Sequence, residues 1–546
     1  MLATRSHKPG MTPPLRLCLL PALLLVDARA AAAQPARPLG PPAIAREFRA
    51  VWVAAVSNID WPSRPGLTSF EQRTELLALL DRAAALRLNA VILHVRPAAD
   101  ALYRSPYEPW SEYLTGQQGL PPEPAYDPLA FAVEAAHARG LELHAWFNPF
   151  RAFHPSSRTA DTAFTHVTRT GRISVVRYGR HRWMDPGDPR VRRHSLQVIS
   201  DVVRRYDVDG VHIDDYFYPY RERDTAADAE IPFPDDATYA AYRRGGGSLE
   251  RDDWRRNNVD VFVRDMYRAV KAIKPHVKVG VSPFGIWRPG FPEGACCFDA
   301  YEQIYADARK WLTNGWLDYF TPQLYWAIDS VRQSYPALLD WWVEQNVKRR
   351  HIWPGLFTSK VGAQAARPTE SWAPTEIVDQ ILITRDQPGA TGHVHFSMRA
   401  LQPGVPVRDT LAMRLATEVY AEPALVPPTP WLDPTPPARP AARAARDTAT
   451  GGVRLVLTPG DQQAVRYWTV QVLGADAWAT RILPGSLRSH ALTRNRKEPL
   501  PDAVWVTAVD RVGNQSRPVP VRLDALGLPP SRRAVPSVAA PGFGER

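Results

Sequence analysis

From residue 46 the chain alternates short apolar runs with longer segments of helical periodicity, and it does so eight times. The runs are FRAVWVAAV, NAVILHV, LELHAWF, VDGVHID, VKVGVSPF, LDYFTPQLYW, HIWPGLF and GHVHFS. Helix-start chemistry falls between them. Ser69 opens SFEQ, a capping-box arrangement with Gln72. Asp127-Pro128 and Asp188-Pro189 each set an N-cap carboxylate before a proline at the first helical position. Further helices are predicted at about 252–273 and 302–313, from Val331, from Thr375 and at about 406–419. Continuous βα alternation implies a parallel sheet. An open doubly wound sheet would carry a Gly-rich phosphate turn after its first strand, and WVAAVSNIDWP has none. The expected fold class is therefore α/β, a (β/α)8 TIM barrel over residues 46–420, followed by a small all-β sandwich domain. Its longest loops, roughly 149–183 and 216–250, leave strands three and four on the side where such barrels place function.

The pattern changes after residue 420. Residues 421–445 read as a stiff Pro-rich linker. Beyond it, VRLVLTP, VRYWTVQVL, WATRIL and AVWVTAVDRVGNQS alternate with period two, which predicts a β-sandwich over 446–524. Its ending, VTAVDRVGNQS, resembles the last hairpin of fibronectin type III-like modules. Residues 525–546 are rich in Pro, Arg and Ala and are expected to be a disordered tail. At the other end, Arg5, Lys8 and Arg16 precede LCLLPALLLV and the small residues of DARAAAAQPA. That is the pattern of a secretory signal peptide, placed at 1–33. The run is too short for a spanning helix, so no membrane span is expected after cleavage.

Composition narrows the function classes. Hydrophobic residues are 45% and charged residues 23%, a folded balance rather than a disordered one. The net charge of +11 is scattered rather than clustered, and no RNA or DNA motif accompanies it, so no nucleic-acid partner is expected. A basic exported protein can be drawn to anionic envelope polymers. Outside the apolar leader the only cysteines are Cys296 and Cys297. Adjacent cysteines rarely bridge each other, so neither a disulfide scaffold nor a Cys-based zinc site is expected.

Alternate residues of a barrel strand point inward. His212 and Asp214 share the inward face of strand four, with Asp215 at its tip. Arg96 falls on that face in strand two, His144 and Asn148 in strand three, Gln323 and Tyr325 in strand six, and His393 and His395 in strand eight. A buried carboxylate is costly unless paired or put to use. Aromatic residues, among them Trp146, Tyr216, Trp287 and Trp326, lie at or just beyond strand exits. Flat rings beside carboxylates suit sugar rings. Three readings compete: glycoside hydrolysis by paired carboxyl groups, a metal-dependent amidase or deacetylase using the inward histidines, and a non-catalytic glycan-binding barrel.

Several longer stretches carry a resemblance: EFRAVWVAAVSNIDWPS, LNAVILHVRPAADALYRSPYEPWSEYLTG, YDPLAFAVEAAHARGLELHAWFNPFRA, MDPGDPRVR, VDGVHIDDYFYP, DWRRNNVDVFV, VGVSPFGIWR and DYFTPQLYW. Together they resemble the bacterial glycosyl-hydrolase-like 10 family of exported barrel proteins. The resemblance implies a periplasmic or secreted envelope glycosidase. A characterised branch of the family is associated with cell division and cuts peptidoglycan glycan strands that have lost their peptides. On this reading Asp214 and Asp215 are catalytic, with Asp214 as base or nucleophile. VSPFGIWR lacks the Glu that follows strand five in amylase-like barrels, so the partner acid is sought among Glu222, Asp100 and Asp329, with Glu222 first because its loop can fold back over the mouth. Substrate contacts are expected from Arg96, Asp100, His144, Asn148, His212, Tyr216, Trp287, Gln323, Tyr325 and Trp326. No metal and no organic cofactor is expected. The partner is a polysaccharide, and the sandwich is expected to hold wall or an envelope protein.

Overall fold

A computed structural model describes residues 40–159, 163–224, 228–363, 371–462, 464–474, 477–495 and 497–523. The expected signal at 1–33 and tail at 525–546 lie outside the described residues. The apolar runs become parallel strands: β1 (Phe48–Val53), β2 (Ala90–Arg96), β3 (Glu142–Phe147), β4 (Gly210–Ile213), β5 (Lys278–Val281), β6 (Tyr319–Phe320), β7 in two pieces (His351–Ile352 and Gly355–Leu356) and β8 (Gly392–His395). Each pairs with its successor, and β8 pairs with β1. The two pieces of β7 pair one with β6 and the other with β8, so the ladder returns on itself as an α/β barrel.

Helices α1 (Ser69–Ala85), α2 (Pro128–Ala138), α3 (Pro189–Arg205), α4 (Arg251–Ile273), α5 (Ala308–Asn314), α6 (Tyr335–Glu344), α7 (Pro374–Asp386) and α8 (Pro406–Arg414) follow the strands. Val51, Val91, Leu93, Val211 and Ile213 face them in the larger apolar cluster. Phe48, Trp52, Ile92, Trp146, Tyr319 and Trp353 fill the interior. Asp127 and Asp188 cap α2 and α3 as read from the sequence. The α1 box lies one residue earlier than expected, on Thr68 and Glu71. Gln72 is instead buried, its amide donating to the carbonyls of Leu67 and Leu114. The helix expected at 302–313 is broken into Ala300–Gln303 and α5, because Asp299 and Asp307 each cap a separate start.

Beyond the barrel come β9 (Ala441–Arg446), β10 (Val453–Thr458), β11 (Tyr467–Leu473), β12 (Trp478–Pro484), β13 (Ser489–Thr493), β14 (Ala503–Val509) and β15 (Val519–Pro520). They form antiparallel sheets of order β9-β10-β13 and β12-β11-β14-β15. Leu455 and Leu457 of one sheet share a core with Trp468, Val470, Val504 and Val506 of the other. This unit packs against the N-terminal ends of the barrel strands. Arg466 donates to the Leu141 carbonyl and to Asp209, Arg511 pairs with Asp207, and the Trp431 indole donates to Asp318. The segment read as a linker is largely committed. Ala424–Leu425 pairs with Ala45–Arg46, Leu425 and Val426 are buried, and the first sandwich strand begins at Ala441 rather than after 445. Cys296 and Cys297 are joined by a disulfide, contrary to expectation; Cys297 takes a φ of 91°, turning the backbone so that the neighbouring side chains meet. Among the described residues no helix is long and apolar enough to cross a membrane.

Candidate active site

Strand β4 is buried along its whole length, and Asp214 and Asp215 follow it directly at the barrel mouth, each 5% exposed. The Asn148 side-chain amide, just past β3, reaches both Asp214 oxygens at 3.3 and 3.4 Å. The Trp146 indole N–H is directed at Asp214 and favours its ionised form. Asp215 accepts a short hydrogen bond from the Tyr220 hydroxyl and is bonded by the Gln323 side chain. Gln323 also donates to the Ser282 carbonyl at 3.1 Å, tying the exits of β5 and β6 together. Burial and the neighbouring Asp215 push the Asp214 carboxyl up to about 7. Burial likewise raises Asp215, against the pull of Tyr220 and Gln323. Two adjacent acids in one low-dielectric site resist double ionisation, so the pair holds one proton near neutrality. Tyr220 and Gln323 favour the charge on Asp215, while Trp146, Asn148 and the Tyr216 amide favour it on Asp214.

Rings enclose the pair. Tyr216 lies under the Arg151 guanidinium, 4.8 Å from its carbon, and Arg151 acts on both acids. Tyr325 is half-buried, stacks on Phe357 at 4.7 Å, and is held neutral by burial and the two acids. Trp326 meets Phe284 edge-on at 5.6 Å. Trp287 stands further out on the loop after β5, its indole donating to Asp307 at 3.1 Å and stacking on Trp341.

Other expected site residues are placed elsewhere. Arg96 is buried in a two-pronged pair with Glu108, at 2.8 and 2.5 Å, and donates to the Asn148 carbonyl. It thereby positions the segment that carries Asn148. His212 and His144 share the Tyr319 hydroxyl inside the barrel; His212 accepts from Trp52, and His144 bonds Glu142. His393 and His395 share the Tyr420 hydroxyl. Asp100 is buried, accepts from the Ala98 amide and Ser111, and is pushed by burial up to about 7. Asp329 is exposed. Glu222 lies on Gly179 and 3.5 Å from His181, whose ring neighbours Trp183, itself beside Tyr216. Among the described residues no three His, Cys, Asp or Glu side chains converge as metal ligands. A cavity of about 420 Å³ at the opposite end is lined by Arg49, Glu47 and Arg385, and both arginines already pair with Glu47.

Arg151, Tyr220 and Glu108 were not singled out from sequence. Tyr220 ends the DDYFYPY run, and its proximity to the acids was the available signal.

Residues 47–373 match the family described as Glycosyl hydrolase-like 10. The chain is 38% identical over 487 residues to the glycosyl hydrolase YngK of Bacillus subtilis (strain 168), covering 86% of this chain and 92% of that protein. It is 35% identical over 352 residues to the glycosyl hydrolase DigH of Escherichia coli (strain K12), covering 59% and 76%. Among solved structures, the PgaB (BpsB) glycoside hydrolase domain from Bordetella bronchiseptica is similar with a TM-score of 0.44 at 14% identity, covering 67% of this chain and 99% of that domain. The extent of the match and the similarity to YngK establish that the chain belongs to the glycosyl hydrolase-like 10 family.

Proposed function

We propose that the protein is an exported glycoside hydrolase of the cell envelope that cuts peptidoglycan strands stripped of their peptides. The observation that carries this reading is the Asp214–Asp215 pair, buried among rings at the barrel mouth and sharing one proton. A neutral carboxyl beside an ionised one supplies a proton donor and a stabiliser for a developing oxocarbenium ion. Tyr216, Tyr325 and Trp326 offer faces to sugar rings, and Asn148 and Gln323 hold the acids in register. The C-terminal two-sheet unit is read as a fibronectin type III-like module that holds wall or an envelope partner. The relatives' printed name, glycosyl hydrolase, agrees with the activity class. Zymography on purified peptidoglycan, with and without its peptides, tests the proposal. Reducing ends released from peptide-free strands in the presence of chelator, and lost in Asp214→Asn, support it. Chelator-sensitive release of acetate or peptide refutes it in favour of a metal-dependent amidase or deacetylase. Binding with no product leaves a glycan-binding barrel.

A further inference from the structure

The loop after β5 carries the Cys296–Cys297 disulfide, with Cys296 half-buried and Cys297 exposed. The loop is pinned on both sides of the pair. Upstream, the Ala295 N–H donates to the Pro292 carbonyl at 3.0 Å, and the Ala295 carbonyl accepts from the Gly290 amide at 2.7 Å. Downstream, Asp299 accepts from the Glu302 amide at 2.9 Å and from Arg288 at 3.3 Å. Between these anchors, among the described residues, no backbone hydrogen bond holds Cys296, Cys297 or Phe298. Yet Cys297 has a φ of 91°, which a residue other than glycine adopts only under constraint. The covalent bond is that constraint, and the next side chain it fixes is Phe298. The Phe298 ring lies 4.5 Å from Phe284 and 5.2 Å from Tyr220, centroid to centroid. The Tyr220 hydroxyl in turn donates to Asp215. Arg221 adds a second link between the two loops, donating to the Glu302 carbonyl at 2.8 Å.

We propose that the Cys296–Cys297 disulfide is a reducible latch on the acid pair. Closed, it holds Phe298 against Tyr220 and keeps the Tyr220 hydroxyl on Asp215; opened by a dithiol reductant, it releases both. One thiolate of the reductant attacks the exposed Cys297 Sγ, the Cys296–Cys297 bond breaks, and Cys296 leaves as a thiolate that takes up a proton. The reductant's second thiolate then attacks the mixed disulfide. The reductant ends as a disulfide and Cys297 as a second thiol, so two electrons and two protons pass to the protein. Without the bond, Cys297 relaxes to a negative φ, which turns Phe298 away from Tyr220. Asp215 then loses a hydrogen bond that favours its ionised form. Phe298 and Tyr220 act through Asp215 and are positioning residues. The effect on turnover rests on the glycosidase reading above, whereas the effect on the acid pair does not.

The full chain is compared in three forms: oxidised, reduced with dithiothreitol and desalted without oxygen, and as the double variant Cys296→Ser/Cys297→Ser. Thiols are titrated in the folded protein, and kcat/KM on peptide-free glycan strands is followed against pH. Reduction should expose two further thiols and move the acidic limb up by at least about 0.5 pH unit, which lowers kcat/KM on that limb at least about 3-fold. The serine pair should show the same shift without reductant. In Tyr220→Phe, reduction should move the limb no further. Thiols that appear only on unfolding, a limb that stays in place, or an equal shift in Tyr220→Phe overturns the proposal. If no glycan is cut, urea unfolding of the oxidised and reduced forms between about pH 4 and pH 7 still reads the acid pair. A stability gap that widens as pH rises, and does so only while Tyr220 is present, upholds the latch and refutes the glycosidase reading. A gap that is constant with pH overturns both.

Discussion

Asp214→Asn separates the chemistry of the acid pair from its energetic burden. Burial and Asp215 move the Asp214 carboxyl from an ordinary 3.8 to about 7. A group whose folded-state pKa is raised contributes stability below its unfolded pKa that is lost as pH rises through the folded value. Each pKa unit between folded and unfolded chain corresponds to about 1.4 kcal/mol, so the full difference approaches about 4 kcal/mol. Sharing with Asp215 reduces the part belonging to Asp214 alone to roughly 2–4 kcal/mol. The wild-type protein should therefore lose this much stability between pH 4 and pH 8 in excess of the variant. Asparagine carries no titratable group and should flatten that component while abolishing turnover. Urea denaturation of both proteins across this range, compared as differences, cancels the other titrating groups. Parallel pH dependences, or a variant that is less stable than wild type by the same amount at every pH, would refute the claim that Asp214 holds its proton because it is buried beside Asp215.

Tyr220→Phe removes the hydroxyl donated to Asp215; a hydrogen bond to a charged group is worth about 1.5–3 kcal/mol, so the acidic limb of the kcat/KM profile should move up by about one to two pH units. An unmoved limb would remove Tyr220 from the pair's control. Arg466→Ala leaves Asp209, which burial raises and Arg466 and His137 pull well below the usual carboxylate range, buried without its guanidinium. A loss of about 3–5 kcal/mol in urea unfolding is expected, and a change below about 0.5 kcal/mol would show that the contact is dispensable. Arg96→Lys breaks the two-pronged pair with Glu108; it should lower Tm and kcat with little change in KM, whereas a dominant rise in KM would restore Arg96 as a substrate contact.

The barrel was legible because its strands are buried on both faces and read as apolar runs, punctuated by Asp-Pro helix starts that the structure uses as caps. The acids were legible because alternation carries His212 and Asp214 inward and leaves Asp215 at the tip. Partner choice was not. Glu108 lies 12 residues from Arg96 on an irregular loop, and no periodicity marks it as the counter-ion that removes Arg96 from the mouth. Tyr319 and Tyr420 claim the inward histidines by hydroxyl geometry that appears only when distant strands close. The Pro-rich stretch after residue 420 has linker composition, yet its Leu425 and Val426 are apolar enough to be covered, and Trp431 finds Asp318. Composition reports stiffness there but not adhesion.

The two-sheet unit sits behind the barrel, on Leu141, Asp207, Asp209 and Asp318, while Asp214 opens at the far end. From Asp209 at the rear to Asp214 at the mouth the chain advances five residues, about 16 Å along the strand. On the proposed function, whatever the rear unit grips is kept about that far from the cleft. On that same reading, a molecule anchored through this unit cuts chains that pass in front of it and spares the one it stands on.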